Sequence, residues 1–459
     1  MSGLFGSLSI ALSSLTVSQQ EMAVTANNVA NANTPGYSRE IPAVAAGDPI
    51  TIGSLTFGTG VVLQKIESLR DPILEIQLHQ ETQQQSKLNT ELGQLQQIQT
   101  QFGSATSGIG ADISNFFNSL QQLSPDPTNL ALRQSVLTAA GNLATDFNTT
   151  AHNLQTQRSN IDQNVVQSVG DVNSLTAQIA SVDQQISSVQ NAQGDAGTLV
   201  DKQTTLIRQL SGLVDVQVIK TDQGISLTTS NGTTLVSGSQ SFALSAQLGS
   251  DGVQHIMAGT HDITGSLEGG SLAGLIQIRD QEIPSIASSL DQLAAGFANA
   301  LNTANAQGYD LNGNKGANIF VPPPAGGVGA AAALTVSLTD PKLIAASSDG
   351  TSGSNGNLAV LSAVATQPLA NGQTPIQSYS SIVFKVGSDT ANVSADVTSS
   401  NLILQQLQDQ RASISGVSLD EEAANLIKYQ TAYQAAARVV STIETLLADT
   451  VNLGIGTAV

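Results

Sequence analysis

Histidines and acidic side chains are the residues of this sequence that could bind a metal ion or move a proton. The four histidines, His79, His152, His255 and His261, share no helical or strand ligand spacing with acidic residues. A metal site needs several such ligands, because three or four donors must converge on one ion. The sequence therefore predicts no metal site, and we expect these histidines to be surface or hydrogen-bonded side chains.

A second candidate is the segment Asp-Leu-Asn-Gly-Asn from Asp310 to Asn314, which resembles the start of a calcium-binding loop. Such a loop requires glycine at its sixth position and glutamate at its twelfth. Those positions hold Lys315 and Val321. The segment is therefore interpreted as a glycine turn.

Motifs for nucleotide binding and nucleophilic catalysis are also incomplete. Gly327, Gly329 and Ala332 fit a loose dinucleotide-binding pattern, but three consecutive prolines ending at Pro324 precede them, where that pattern requires a strand. The chain has no G-x-S-x-G sequence, no P-loop and no cysteine, which argues against hydrolase elbows and excludes disulfides and thiolate chemistry. We expect no catalytic activity, no cofactor and no metal.

Composition argues against nucleic acid and membrane partners. Of 459 residues, 35 are acidic and 16 are basic, which gives a net charge of −19. Nucleic acid and anionic lipid surfaces attract clustered Lys and Arg, so we expect neither as a partner. Hydrophobic residues make up 40%, enough for a globular core, and the length fits roughly two to four domains.

The sequence also lacks the usual signals for membrane insertion and cleaved secretion. No apolar run approaches the ~18 residues of a spanning helix. No Lys or Arg precedes Arg39, so the positive segment of a secretory signal is missing. We expect that, if the protein leaves the cell, it uses another route.

Both ends of the chain carry apolar residues at helical spacing. Residues 1–33 are a helix candidate with apolar residues seven apart, namely Leu8, Leu15, Met22 and Val29. Asn33-Thr34-Pro35-Gly36 ends this helix, since proline and glycine interrupt helices. Near the other end, Ser418 and Glu421 form a predicted capping box. The stripe that begins there has the same spacing and consists of Leu419, Leu426, Tyr433, Val440 and Leu447.

Long helices are predicted between the ends. Asp71 and Pro72 indicate a helix start, with aspartate as the cap and proline in the first turn. From Leu130 to Val189, two series of positions seven residues apart contain 15 apolar residues among 18. This repeat predicts a long packed helix, with Gly141 and Gly170 as candidates for a bend or a break. Spacing alone leaves open whether the apolar stripe is a core within the chain or a coiled coil between chains.

A change of pattern at Val214 predicts strands. Apolar and polar residues alternate from there to about Ile263, and Asp222-Gln223-Gly224 and Asn231-Gly232 supply turns. The fold class is therefore mainly α with a smaller β part (α+β), in an elongated multi-domain chain. The predicted regions are a terminal helical region (1–64 and 415–459), an elongated helical bundle (65–213 and 270–414) and an inserted hairpin-rich β domain (214–269, to which 330–345 could contribute).

The segment Asn-Asn-Val-Ala-Asn-Ala-Asn-Thr-Pro-Gly-Tyr-Ser-Arg, from Asn27 to Arg39, resembles the N-terminal signature of bacterial flagellar axial proteins of the rod, hook and hook–filament junction. Within that group, three stretches resemble the hook-associated protein 1 family. They are Leu199–Gly238, Gly270–Gly313, and Ser415–Glu422 followed by Tyr429 and Tyr433.

This resemblance implies a structural subunit that polymerises at the distal end of the hook as the junction between hook and filament. It also implies that the terminal helices pair to line an inner tube. The residues that it assigns to assembly are Leu8, Leu15, Met22, Asn28, Val29, Asn31, Asn33, Thr34, Pro35, Gly36, Tyr37, Leu419, Leu426, Tyr433, Val440 and Leu447.

The resemblance further implies partners and a location. The expected partners are other copies of the chain in a helical ring, the hook protein, the second hook–filament junction protein, the filament, the type III export apparatus and a cytoplasmic export chaperone. The expected location is extracellular, at the hook–filament junction. Family members often carry an outer domain after the segment matching Asn318–Phe320. Here only a Pro/Gly/Ala-rich loop separates Phe320 from Thr335, which argues against such a domain.

Two other functions fit parts of the sequence. A hook or distal-rod subunit shares the N-terminal motif but should lack the β stretch that ends at Gly238. A secreted helical-bundle binding protein or adhesin is compatible with the terminal stripes, whereas the Thr-Pro-Gly-Tyr motif does not favour it. A secreted enzyme comes third, because every catalytic motif that was sought is absent or incomplete.

Overall fold

The computed structural model describes residues 2–52, 54–102, 107–192, 194–221 and 224–455. In these residues the protein is mainly α with a smaller antiparallel β part, as predicted. The chain divides into two compact units. Unit 1 comprises Met1–Thr82, Val172–Ala243 and Asn401–Val459, and unit 2 comprises Gln83–Asp171 and Leu244–Ser400.

Helices make up most of both units. In chain order they are α1 (Ser2–Asn31), α2 (Pro72–Gln101), α3 (Ile109–Leu123), α4 (Leu130–Asn191), α5 (Gly197–Leu213), α6 (Gly270–Gln277), α7 (Ile283–Gln307), α8 (Ala330–Ala333), α9 (Gly356–Ala363), α10 (Pro375–Ser415) and α11 (Leu419–Ile455). A π-helical turn, Ile278–Glu282, joins α6 to α7.

The strands form four antiparallel sheets. In chain order they are β1 (Glu40–Ala46), β2 (Ile50–Ile52), β3 (Leu55–Phe57), β4 (Val61–Ser68), β5 (Gln217–Thr221), β6 (Gly224–Thr228), β7 (Thr234–Ser237), β8 (Gln240–Ser241), β9 (Leu244–Leu248), β10 (Gln254–Ala258) and β11 (His261–Asp262). β1 pairs with β4, β2 with β3, β5 to β8 form one sheet in sequence order, and β10 lies between β9 and β11.

The strands predicted as one inserted β domain form two separate sheets. The sheet of β5 to β8 belongs to unit 1, and the sheet of β9 to β11 belongs to unit 2. A turn at Asn231 and Gly232 connects β6 to β7, as predicted, whereas Asp222 and Gln223 lie outside the described residues. Whether residues 214–269 behave as one domain stays a prediction.

The predicted helix starts are confirmed by their caps and bounds. The Oδ1 atom of Asp71 accepts from the backbone N–H of Ile73 (2.9 Å) and of Leu74 (3.2 Å), which satisfies donors that an uncapped helix leaves free. The heptad region is one helix, α4, of 62 residues. It continues through Gly141 and Gly170, so neither of these candidate positions breaks the helix.

Unit 2 contains a cluster of buried aromatic side chains and one buried arginine. Phe116 and Phe117 of α3 lie edge-to-face against Phe297 of α7 at centroid distances of 5.8 and 5.9 Å, and all three are buried. Arg133 of α4 is buried at a position of the seven-residue repeat that is otherwise mostly apolar. Its guanidinium donates to the carbonyls of Pro127 (2.6 Å) and Ile344 (2.7 Å), so the charge is not left unsatisfied.

In unit 1, α1 packs on α11 and on the β1–β4 hairpin. Small side chains allow this close approach. Ser13 of α1 lies against the hairpin, where its Oγ accepts from the Val61 N–H at 3.4 Å. A Cβ on Gly60 would lie 2.2 Å from that oxygen, and Gly60 has φ +103°, so this position favours glycine.

Candidate assembly site

The helices at the two ends of the chain, α1 and α11, pack against each other and are called the terminal pair below. Near the end of α1, Nδ2 of Asn28 lies 3.2 Å from Oε2 of Glu422, in the first turn of α11. Burial, followed by the negative charge of Glu21, raises the pKa of Tyr429. Since Glu21 precedes Asn28 by seven residues whereas Tyr429 follows Glu422 by seven, the two helices run antiparallel.

The buried surface of α11 also follows a seven-residue spacing. Its buried or half-buried members, called the inner series, are Glu422, Tyr429, Ala436 and Ile443. The buried side chains of α1, which packs on both α11 and the β1–β4 hairpin, are Ala11, Val17, Ser18, Val24, Thr25 and Asn28. Most of these side chains are small or apolar, and Glu422 carries the charge.

Asn28 is 1% exposed and uses both ends of its amide. Its Nδ2 donates to the Glu40 carbonyl at 2.8 Å and to Glu422, as described above. Its Oδ1 accepts from the Glu40 N–H at 2.9 Å and from the Tyr37 hydroxyl at 2.8 Å. Asn28 therefore fastens the end of α1 to the start of β1 and to α11. Removing it would leave several buried groups without partners.

Arg39 connects the loop after α1 to the start of α11. Its Nε donates to Oε1 of Glu422 at 2.7 Å, its Nη1 bonds Glu421, and its backbone N–H donates to the Ser415 carbonyl at 2.9 Å. The Glu422 side chain is 2% exposed, so this ion pair is largely withdrawn from water. One carboxylate oxygen of Glu422 thus bonds Arg39 and the other bonds Asn28. Asn28, Tyr37, Arg39, Glu40 and Glu422 are called the anchor cluster below.

The predicted motif residues after α1 form a compact turn. Nδ2 of Asn31 donates to the Asn27 carbonyl at 3.1 Å, and its Oδ1 accepts from the Thr34 hydroxyl at 3.1 Å. Asn33, Thr34 and Pro35 are exposed. Their side chains are therefore accessible on the surface of unit 1.

Gly36 holds this turn close to α5. It has φ +87°, a conformation that other residues adopt at a cost, and a Cβ there would lie 2.5 Å from the Thr205 hydroxyl. Two further bonds hold the turn in place. The Gly36 carbonyl accepts from Arg411 of α10 (3.0 Å), which also pairs with Glu75 of α2 (2.6 Å). The Ser38 N–H donates to Asp201 of α5 at 2.9 Å.

Burial raises the pKa of two groups of the anchor cluster, so both lose their proton less readily than they would in water. Burial, and then the carboxylates of Glu40, Asp201 and Glu422, raise the pKa of Tyr37, so its hydroxyl remains a donor to Asn28. Burial also raises the pKa of Glu40. Most polar groups of the cluster bond one another and thereby position α1 and α11, whereas Oε1 of Glu40 is buried without a hydrogen-bond partner among the described residues.

The two predicted stripes lie in different environments. On α1, Leu8, Leu15 and Met22 are half-buried and Val29 is 45% exposed. On α11, Leu419, Leu426 and Tyr433 are 56%, 42% and 38% exposed. Val440 and Leu447 are half-buried. The C-terminal stripe is therefore distinct from the inner series, which begins three residues later. Its five residues are called the outer stripe below, and their role in assembly stays a prediction.

Sequence reasoning missed the ion pairs of this site. The capping box forms in one direction, because the Glu421 N–H donates to the Ser418 hydroxyl at 3.4 Å, whereas the Glu421 carboxylate bonds Arg39 instead. One feature of the sequence could have indicated the role of Glu422. It is an acidic residue that lies three positions after Leu419, next to the apolar stripe of α11. Its partners are distant in sequence, so spacing could not identify them.

The other candidates for chemistry are separate from this site. Oδ1 of Asp310 accepts from the N–H groups of Asn312 and Asn314, each at 2.8 Å, and Gly313 has φ +79°, so the predicted glycine turn is confirmed. His255 lies between two carboxylates, with Nδ1 2.6 Å from Asp262 and Nε2 3.1 Å from Asp251. Spacing rules missed this cluster, because its members lie in a turn and in two paired strands.

Two features are absent from the described ranges of the chain. Within them, no group of three or more His, Cys, Asp or Glu side chains could hold a metal ion. No helix in the described part of the chain is long and apolar enough to cross a lipid bilayer.

Comparison with protein families gives three matches along the chain. The flagellar hook-associated protein FlgK helical domain matches residues 95–320. The flagella basal body rod protein family matches residues 8–37, which include most of α1 and the turn after it. The C-terminal family of the flagellar basal body rod FlgEFG proteins matches residues 408–453, which include most of α11.

Relatives align over nearly the whole chain. Flagellar hook-associated protein 1 of Bacillus subtilis is 29% identical, over 99% of this chain and 100% of the relative. The Salmonella typhimurium protein of that name is 26% identical, over 96% of this chain and 99% of its own length. That alignment spans 545 positions although this chain has 459 residues, so the relative contains segments without a counterpart here.

A solved structure has a similar fold. The flagellar hook junction protein FlgK from Burkholderia pseudomallei superposes with a TM-score of 0.68 at 17% identity, over 74% of this chain and 100% of that chain. The helical-domain match covers the middle, the rod-family matches cover the two helices of the terminal pair, and the relatives span nearly the full length. Over nearly its full length, the chain therefore resembles the flagellar hook-associated protein 1 family.

Proposed function

We propose that this chain is a structural subunit of the bacterial flagellum that polymerises at the distal end of the hook, as the junction between hook and filament, and that its terminal pair makes the contacts between subunits. The observation that carries this proposal is the outer stripe on α11. Three of its five residues, Leu419, Leu426 and Tyr433, stay exposed even though α11 is already packed against α1.

The outer stripe does not stand alone on α11. Other exposed apolar residues on the same helix are Ile427 (64%), Val439 (48%), Leu446 (48%) and Val451 (56%). Contiguous apolar surface of this kind marks contact sites in soluble proteins, because burying it is favourable by about 25 cal/mol per Å². A second copy of the chain supplies a matching apolar helix surface, since α1 exposes Phe5 and Leu12.

The motif turn offers a second contact region. Asn33, Thr34 and Pro35 are exposed, while Asn31, Gly36 and the anchor cluster hold the turn from beneath. A rigid exposed turn loses little entropy on binding. We propose that it contacts neighbouring copies, with the hook protein and the second junction protein meeting opposite faces of the ring.

We further propose that the protein works outside the cell at the hook–filament junction, after delivery through the type III export apparatus with a cytoplasmic chaperone. The absence of cysteine supports this route, because no disulfide has to be opened before passage. The role needs no catalysis, cofactor or metal.

The hook or distal-rod alternative is not favoured, because the match over residues 95–320 is to the hook-associated protein helical domain and not to a hook or rod protein. An adhesin would not account for rod-family matches at both ends.

Deletion of the gene from the source bacterium tests the proposal. Electron microscopy of the deletion strain should show hooks of normal form without filaments, and the wild-type chain supplied in trans should restore the filaments. Loss of hooks would instead indicate a hook or rod subunit. Normal filaments on the deletion strain would refute a junction role.

A further inference from the structure

One residue of the inner series differs from the rest in kind. Tyr429, Ala436 and Ile443 recur at equal intervals of seven residues, so a slide by one heptad still places an uncharged side chain at each of these positions, although the three side chains differ in size. Glu422 is the charged member, and it is 1% exposed. We propose that Glu422 fixes the register in which α1 and α11 pair.

The bonds of Glu422 identify a single pairing. One oxygen accepts from Asn28 of α1 at 3.2 Å and the other from Arg39 at 2.7 Å. Asn28 is itself tied to both backbone groups of Glu40, and the backbone of Arg39 is tied to Ser415. The partners of Glu422 are therefore also held by bonds that do not involve Glu422 itself. A buried charge without these partners would be strongly disfavoured.

Sliding α11 by one heptad in either direction breaks this arrangement. A slip toward the start of α1 brings Glu422 beside Glu21, so two carboxylates meet at a half-buried position and Arg39 loses its buried partner. A slip the other way brings Tyr429 beside Asn28 and carries Glu422 past the end of α1. Single buried polar residues set the register of coiled coils by the same physics.

This inference deepens the proposed function, because a terminal pair in one register presents one outer stripe. It rests on contacts within one chain, so it can fail while the junction role stands, and the reverse also holds. Its test therefore uses the purified full-length chain without hooks or filaments.

Disulfide cross-linking reports register directly, since the chain has no cysteine of its own. Ser14 lies 14 residues before Asn28 and Ala436 lies 14 after Glu422, so the native register puts them opposite each other. The native reporter is Ser14→Cys with Ala436→Cys. The slip reporter is Ser7→Cys with Ala436→Cys, because a one-heptad slip shifts the pairing by about 10 Å.

With Glu422 present, we expect the native reporter to cross-link within one chain and the slip reporter to stay reduced. With Glu422→Leu, the initial cross-linking rate of the slip reporter should rise at least about tenfold. Glu422→Gln keeps the shape and should fall between. The matched control is Glu421→Gln, since Glu421 also bonds Arg39 but has a 61% exposed side chain, and it should leave both rates unchanged.

Circular dichroism and non-reducing gels accompany each variant, to establish helix content and intramolecular linkage. If Glu422→Leu lowers helix content, Glu422→Gln decides the outcome. A folded Glu422 variant that cross-links only through the native reporter would overturn the proposal, because the apolar contacts would then set the register. Equal cross-linking of both reporters with Glu422 present would overturn it as well.

Discussion

At the residue scale, buried polar side chains help to hold α1 and α11 together, a role that large apolar side chains have in other helix pairs. The contact surface of α1 includes Ala11, Ser18 and Thr25, which offer little area for burial. The anchor cluster adds directional bonds at one end of the pair, where Asn28 alone makes four. Such bonds contribute modestly when complete and cost much when one partner is lost.

Replacing Asn28 by alanine should destabilise the protein by about 1–3 kcal/mol, because the Glu40 N–H and the Glu422 carboxylate would lose a partner in a buried position. Urea unfolding followed by circular dichroism measures the change. Asn33→Ala is the matched control, since Asn33 is exposed and its loss should stay within ~0.5 kcal/mol. Equal effects of the two variants would contradict the structure of the anchor cluster.

Leu426→Asp should leave the free chain nearly as stable as before, within ~0.5 kcal/mol, because the Leu426 side chain is 42% exposed. In a ring of subunits the same carboxylate would be buried without a partner, at a cost of several kcal/mol per subunit. Melting temperature and the filament count of a complemented deletion strain measure the two effects.

Two variants delimit that prediction. Leu426→Ala should be intermediate in filament count, since it removes packing without adding charge. Leu248→Asp, at a 68% exposed position of β9, should affect neither measurement. A large loss of monomer stability in Leu426→Asp together with normal filaments would mean that the outer stripe belongs to the core of the single chain.

At the element scale, α4 is a continuous helix that contains two glycines at positions where a larger side chain would fit. A Cβ added at Gly141 or Gly170 would meet no other atom within 4 Å. Glycine in a helix interior is less stable than alanine, because the unfolded chain is more flexible and no side chain covers the backbone.

Gly141→Ala and Gly170→Ala should therefore each stabilise the protein by about 0.5–1 kcal/mol. The measurement is the shift of the midpoint of urea unfolding, provided that the dependence of the unfolding free energy on urea concentration stays the same. The contrast is Gly36→Ala, which should destabilise, since its φ of +87° and the nearby Thr205 hydroxyl both oppose a Cβ. If the two α4 variants lost stability, these glycines would have a role in bending the helix.

The sheet of β9 to β11 should respond to pH through His255. Hydrogen bonds to Asp262 and then to Asp251 raise the pKa of His255 above its ordinary value. Its stabilisation is therefore complete below about pH 6.5 and is lost as pH rises through the raised pKa. Hydrogen bonds, led by that from Thr264, lower the pKa of Asp262 to about 2, so its contribution is lost only as pH falls toward that value.

Amide exchange of Ile256 and Met257, corrected for intrinsic rates, measures this effect. Protection should be greater at pH 5.5 than at pH 8.5 in the wild-type chain and should change much less in His255→Gln. The same decline in both proteins would mean that the histidine does not hold the sheet.

The sequence patterns predicted where helices begin and end better than they predicted which residues contact one another. The bounds of α2 and α4 follow from the Asp71 cap and from the heptad repeat, because both signals are local. The face of α11 that meets α1 was not predictable in the same way. The apolar spacing of α11 is clearest in the outer stripe, whereas the inner series begins with a glutamate whose partners, Asn28 and Arg39, are nearly the whole chain away.

At the scale of the whole molecule, charge opposes association. Each chain carries a net charge of −19, so copies that approach one another repel. Salt shortens the range of this repulsion, from about 30 Å at 0.01 M to about 8 Å at 0.15 M.

Self-association of the purified chain should therefore increase when the salt concentration rises from 10 to 300 mM. Sedimentation velocity at fixed protein concentration measures it. Leu426→Asp provides the control, because it should reduce association at every salt concentration. Weaker association at high salt would show that attractive ion pairs, and not apolar contacts, hold copies together.

The hydrogen bond between Asn28 and Glu422 joins residues that are 394 positions apart. During synthesis, α1 is therefore made first and waits for its partner until almost the whole chain has left the ribosome. Closing a loop of that length costs on the order of 5 kcal/mol in chain entropy if the intervening residues are unfolded, and far less once they have folded and brought the ends together. The terminal pair is accordingly the last part of unit 1 that can form during synthesis, so a nascent chain exposes the contact surface of α1 before α11 exists, and opening of the finished pair exposes the surfaces of both helices.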